Sequence, residues 1–391
     1  MMYKNKLLLR FLIIFVLGAS FLTILNDQNY PDNENLTDRL YLNHNELDYS
    51  PQKLLVKVNK LILETEIFIE KEKNHILFQN LITDMSEYNR LSFFVPTFMV
   101  ILLLITLNQI LGFLEKPKSY KSVENTYLIS LVFPSIILCF TAIGSESIFN
   151  IISLFIVANL TQQKLSVSRI IFIFPLMFYA YLLDKGNFFI LLSFFVGLYI
   201  LLFFSNYFSK TYIFIILSLI SLFTTFVGGD VFYYVGSFIN SDKMTGLIFE
   251  VEQLNLHSIS ILELFKRYIY FWLTLSNIYF SNHTFSPTSL IFIIFFIIIV
   301  SIKIYSDREK FSFIKNLFSE NKNFIIFMWM VFFPFFIISI LPTHAYYKYY
   351  IFYILYIVRV LCLVYTKFKI FLIFLCISIL YLVETLLLSF I

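Results

Sequence analysis

Long apolar runs, each closed by a short polar or charged stretch, recur along almost the whole chain. The first is Leu7 to Leu25, after a start that carries Lys4, Lys6 and Arg10. No small-residue cleavage site follows it cleanly, so it reads as a retained helix and not as a removed signal peptide. Further runs occupy about 93–114, 127–143, 148–160, 170–183, 188–204, 211–227, 288–302, 324–341, 349–366 and 370–391. Most are close to the roughly 20 residues that a helix needs to cross a bilayer. The pattern predicts an all-α, polytopic integral membrane protein with about eleven transmembrane helices in one transmembrane domain, 1–391. The runs 148–160 and 170–183 are shorter than a bilayer needs, which suggests broken helices or a partly inserted hairpin.

Charge gives these runs a direction. With the N-terminus inside, the inside segments hold 16 Lys or Arg against 5 Asp or Glu, and the outside segments hold 12 against 19. Basic residues stay in the cytoplasm, so the alternation puts the N-terminus in the cytoplasm and the C-terminus outside. Consistency then makes Tyr268 to Phe280 a re-entrant or surface-lying segment, which is tolerable where protein or water covers its backbone. Two outside regions are large. In 26–91, the stretch Gln52 to Glu72 places Leu55, Val58, Ile62 and Ile69 on one helical face and predicts an outer amphipathic helix. The second, 228–287, contains Asp230, Asp242, Glu250, Glu252, Glu263 and His257 and includes the re-entrant stretch.

Composition adds what the runs leave open. Of 391 residues, 59% are hydrophobic and 14% charged, far below the charged share of a soluble domain. Lys, Asn, Ile and Phe are abundant, as in proteins of AT-rich bacterial genomes. The three cysteines all lie in apolar runs without zinc or disulfide spacing, so thiol chemistry is not expected. No metallopeptidase, serine-hydrolase or phosphate-loop motif is present, and no basic patch of nucleic-acid kind. No cofactor, metal or nucleic-acid partner is expected.

Candidate chemistry gathers at the outer face. Glu146 sits in the turn Ile143 to Ile148, either as a working carboxylate or as an acid favoured by the following helix N-terminus. Asp184-Lys-Gly-Asn187 is either a ligand-binding turn or a plain one. Asp230 follows Gly228-Gly229, where a close backbone approach to a ligand and a simple helix stop are equally readable. His344 and Lys348 lie i, i+4 among four tyrosines, a set suited to a phosphate or sugar and equally to an interfacial anchor. Arg359 falls deep in a span and needs a partner, either an ion pair or a ligand phosphate. Arg90 and Lys266-Arg267 could clamp an anionic headgroup or a diphosphate. Asp27 and Asp32, just beyond the first span, could act as a base on an acceptor hydroxyl or form a solvated loop.

This layout resembles the bacterial Wzy-type polysaccharide polymerases, particularly their EpsG-like branch. The resemblance rests on the span number and on four stretches. These are Asn26-Asp-Gln-Asn-Tyr30, the turn Ile143-Gly-Ser-Glu-Ser-Ile148, the run Arg169 to Leu192 with Asp184-Lys-Gly-Asn187, and the turn Thr343 to Tyr350. The chain departs from the family where relatives carry a Gly-Arg-like turn, a His-Ser-like pair and an Arg-Tyr at the last three. The resemblance implies an enzyme of the bacterial inner membrane that acts in O-antigen, capsule or exopolysaccharide synthesis. It would transfer a growing glycan from polyprenyl diphosphate to another lipid-linked repeat unit. Glu146, His344, Asp230 and Asp27 would be the catalytic candidates, and Arg90, Arg267, Lys348, Asp184 and Arg359 the substrate-binding ones. Membrane lipids, a chain-length regulator and a flippase would be its partners. The chain also resembles polyprenyl-phosphate-sugar glycosyltransferases through Pro134-Ser-Ile-Ile and Ser145-Glu-Ser-Ile-Phe149, with Asp27 or Asp32 as base. A third reading is a glycan flippase or transporter, which predicts interrupted helices and inverted repeats; the sequence shows no such symmetry.

Overall fold

The computed structural model describes residues 2–25, 77–114, 117–141, 145–160, 167–205, 207–223, 321–340 and 351–388, with isolated positions between 262 and 298. All regular structure among them is helical. The elements are α1 (Met2–Leu25), α2 (Leu77–Leu114), α3 (Pro117–Leu131), α4 (Pro134–Thr141), α5 (Ser145–Leu160), α6 (Val167–Leu183) and α7 (Lys185–Phe204). They continue with α8 (Lys210–Phe223), α9 (Asn321–Ile340), a 3-10 turn (Ile351–Tyr353), α10 (Ile354–Val364) and α11 (Lys367–Leu388). Three described stretches are long and apolar enough to cross a membrane: Phe94–Gly112 in α2, Lys185–Phe204 in α7 and Lys367–Leu387 in α11. The expected amphipathic helix at Gln52 to Glu72 lies outside the described residues. Of the re-entrant stretch, Tyr268, Ile269 and Phe271 are described and helical.

Several boundaries differ from the sequence reading: α3 begins at Pro117, ten residues before the expected run, and the expected run 349–366 holds the 3-10 turn and the 11-residue α10. Helix α2 begins at Leu77, well inside the expected outer loop. Its 38 residues reach about 57 Å, nearly twice the hydrocarbon core, so its first turns extend past any bilayer that holds Phe94–Gly112. The run 127–143 is also not one helix, because α3 stops at Leu131 and α4 starts at Pro134. Proline lacks an N–H and biases the residue before it away from helical geometry, so Pro134 suits the first position of a new helix. Turn bonds close the gap, with the Val132 N–H donating to the Ile129 carbonyl at 3.3 Å and the Phe133 N–H to the Ser130 carbonyl at 3.0 Å. The Ser378 hydroxyl of α11 donates to the Val132 carbonyl. The other helix prolines, Pro96, Pro175 and Pro334, leave their helices continuous.

The chain divides into two compact units, Met1–Phe188 with Thr366–Ile391, and Phe189–Tyr365. In the first, α5 is buried on all sides from Ile148 to Asn159 and packs against α3, α4, α6 and α2. A helix buried on every face belongs in the middle of a bundle. Buried polar side chains lie on α5 itself and on its neighbours: Asn108, Glu124, Ser130, Asn150, Asn159 and Arg169 are each at most 2% exposed. The outer faces are apolar instead, with Ile171 and Phe174 on α6 and Phe368 and Leu387 on α11 at least 59% exposed. Such apolar outer faces fit a bundle that meets lipid.

One end of this unit is tied by polar side chains. Arg10 of α1 donates to the Asn125 Oδ1 of α3 at 2.6 Å and lies over the Phe371 ring of α11. Gln109 of α2 donates to the Glu124 carboxylate at 2.9 Å, and the Lys367 ammonium donates to the Ser122 hydroxyl at 3.3 Å. Three segments that the sequence assigns to the same side, around Arg10, Lys121 and Lys367, therefore meet.

The second unit is held by aromatic packing. Phe194 of α7 meets Phe333 and Tyr356 with ring centroids 4.9 Å apart in each case. The Trp329 Nε1 donates to the Phe194 carbonyl at 3.0 Å. Its indole covers Gly197, where a Cβ would fall 2.3 Å from the indole Cζ2. Lipid is as apolar as these rings, so close fit and hydrogen bonds, not expulsion from water, hold such helices together.

Candidate functional site

Helix α10 presents the one ionisable candidate that the sequence places deep in a span. Arg359 is half-buried there, with Tyr356 and Cys362 one turn away on either side as its electrostatic neighbours. Tyr356 turns its ring into the wall formed by Phe194 and Tyr353, and Tyr199 of α7 is a further electrostatic neighbour of its hydroxyl. Tyr353 donates to the Met330 carbonyl of α9, and Phe271 packs edge-on against Tyr353 at 5.6 Å. Tyr268, stacked on Phe335 at 4.4 Å, donates to the Val331 carbonyl at 3.0 Å. A guanidinium is therefore carried on a helix whose neighbours are rigid aromatic groups bonded to backbone carbonyls. Such a setting suits an anion or the faces of a sugar ring.

Asp184 has a different local role. It stands directly before α7, and its Oδ1 accepts from the Asn187 backbone N–H at 3.0 Å while its Oδ2 accepts from the Asn187 side-chain amide at 2.8 Å. The Asp184 carbonyl accepts from the Phe188 N–H at 3.0 Å. Oδ1 thus serves as the N-cap at the positive end of α7, while Oδ2 holds the Asn187 side chain. Asp184→Ala should lower the unfolding free energy by about 1 kcal/mol. Asp184→Asn, which keeps one acceptor oxygen, should recover most of it. Thermal unfolding of the two purified variants measures the difference, and equal melting temperatures for Asp184→Ala and the parent would contradict the cap.

Glu146 is the second residue of α5 and Arg90 lies in the first half of α2, so their backbones are placed and their side chains are not described. Asp27, Asp32, Asp230, Arg267, His344 and Lys348 lie outside the described residues. Among the described side chains, the structure brings together Arg359 and its aromatic surroundings.

Several buried polar groups escaped the sequence reading. Arg169 is 1% exposed and donates to the Asn159 Oδ1 at 2.7 Å, although the pattern placed it at the end of an inside loop. Glu124 is equally buried, on a part of α3 that reads as loop. A usable signal was the spacing Lys121, Glu124, Asn125, which puts three polar residues on one helical face. For Arg169 no local signal exists, since its partner stands on the preceding helix. No protein-family model, curated protein or solved structure matches this chain.

Proposed function

We propose that the chain is a membrane-embedded polymerase of lipid-linked oligosaccharide repeat units. It would take a growing glycan from its polyprenyl-diphosphate carrier and join it to the sugar of a second lipid-linked unit. A carboxylate, with Glu146, Asp230 and Asp27 as candidates, accepts the acceptor hydroxyl's proton while that oxygen bonds to the anomeric carbon. The bond from the same carbon to the diphosphate breaks, and the electron pair leaves with the diphosphate. Cations around the leaving group stabilise its charge, a role that Arg90, Arg267, Lys348 and Arg359 fit by type. His344 could share the proton. The acids and most of these cations fall on segments that the charge pattern puts outside, where lipid-linked donor and acceptor meet after export.

The observation that carries this reading is Arg359, a guanidinium held within an apolar helix beside Tyr356 and its aromatic wall. A charge at that depth is costly and marks a functional position by default. The test uses purified protein in liposomes supplied with a lipid-linked repeat unit. Arg359→Gln should slow chain growth about 100-fold, as loss of one charge-stabilising group does, with Arg359→Lys intermediate. Parent-like polymer from folded Arg359→Gln would remove Arg359 from the reaction.

The break between α3 and α4 favours a second reading, a transporter, since interrupted helices build many carrier sites. The polymerase is preferred because the carbonyls at the break already accept bonds. Val132 takes the Ser378 hydroxyl, Phe133 takes the Ile136 and Ile137 N–H groups, and nothing there calls for an ion.

A further inference from the structure

A proline inside a helix takes one donor out of the ladder, because the carbonyl four residues earlier would otherwise accept from its N–H. In α9 the proline is Pro334, which is buried, and the carbonyl is that of Met330. Met330 is 5% exposed, so bulk water is not at hand to replace the lost donor. The Tyr353 hydroxyl, from the 3-10 turn that leads into α10, donates to this carbonyl instead. On the next carbonyl of α9, that of Val331, the Tyr268 hydroxyl donates at 3.0 Å. Two phenols from two other segments thus meet α9 on the turn where its own ladder lacks a bond. Their rings hold the same turn: Tyr268 stacks on Phe335 at 4.4 Å, and Tyr353 lies nearly parallel to Phe333 at 6.3 Å.

Helices bend most readily at proline, and a donor from a neighbouring element on the freed carbonyl holds the bend in one position. We infer that Pro334 is a hinge in α9 and that the Tyr353 hydroxyl is its latch, with Tyr268 as a second hold on the same turn. The closed latch ties the half of α9 beyond Pro334 to α10. Opening it frees 335–340, from which the chain runs directly into Thr343 to Tyr350 with His344 and Lys348. The inference stands apart from the polymerase reading, since it concerns the motion of α9 and not turnover.

Its test is amide hydrogen exchange of the whole protein in detergent micelles, read by mass spectrometry on peptides that cover 335–340. Tyr353→Phe keeps the ring against Phe333 and removes only the hydroxyl. Exchange in 335–340 should then rise about tenfold, the effect of depriving one buried carbonyl of its donor. Pro334→Ala returns an N–H to the ladder and should slow this exchange by itself. Adding Tyr353→Phe to Pro334→Ala should change it less than about twofold, because the hydroxyl is then redundant. Tyr356→Phe is the control in the same wall, since its hydroxyl makes no hydrogen bond among the described residues, and it should leave exchange in 335–340 unchanged. Equal exchange for Tyr353→Phe and the parent, an equal rise with and without Pro334, or as large a rise from Tyr356→Phe would each overturn the latch. Unchanged or faster exchange in Pro334→Ala would overturn the hinge, and that comparison needs no tyrosine variant to fold.

Discussion

Gly197→Val is expected to remove folded protein almost completely. The ideal Cβ at this position would lie 2.3 Å from the Trp329 Cζ2, 2.4 Å from Cη2 and 3.3 Å from Cε2. A helical Cβ cannot swing aside, so the indole must move. Trp329 is 5% exposed, donates through Nε1 to the Phe194 carbonyl and touches the Phe333 and Phe336 rings at 5.2 and 5.6 Å. Moving it breaks that bond and opens the aromatic wall on which Tyr353 and Tyr356 also rest. Trp329→Ala should cost about 3–5 kcal/mol. Because Gly197 and Trp329 occupy the same space, Gly197→Ala should be far better tolerated with Trp329→Phe than alone, a coupling that a double-mutant cycle resolves. Size-exclusion profiles and melting temperatures of detergent-extracted variants provide the measurement. A parent-like peak and melting temperature for Gly197→Val would contradict this packing.

Much of the helical layout was legible because the runs are apolar all round and end at charges. The expected starts at 148, 170 and 188 lie within three residues of those of α5, α6 and α7. The break at Val132 and Phe133 was not legible. Pro134 looks locally like Pro96, Pro175 and Pro334, all of which sit inside continuous helices. At the break the Ser378 hydroxyl donates to the Val132 carbonyl from 246 positions away in the chain, a partner that no local pattern announces. The pair Arg10 and Asn125 is hidden for the same reason, at a separation of 115.

At the candidate site the legible part was local. Asp184 and Asn187 stand three apart, the spacing at which a capping side chain reaches a helix N–H, and the plain-turn reading follows from it. Arg359 was visible as a charge in an apolar run, and its neighbours Tyr356 and Cys362 follow from helical spacing. The wall from Phe194, Trp329 and Phe333 depends on α7 and α9 meeting, which no local pattern states.

The largest functional effect is expected from removing the protein. A polymerase acts only on completed, exported repeat units, so its absence should abolish the long-chain glycan ladder and leave finished single repeats on their final acceptor where the pathway permits it. Restoring the parent should restore the ladder. Mass spectrometry of the residual glycan in the deletion strain is the most direct measurement. The polymerase account predicts a complete single repeat unit. A repeat lacking one sugar would contradict it in favour of a single-sugar glycosyltransferase, and an unchanged ladder would contradict both.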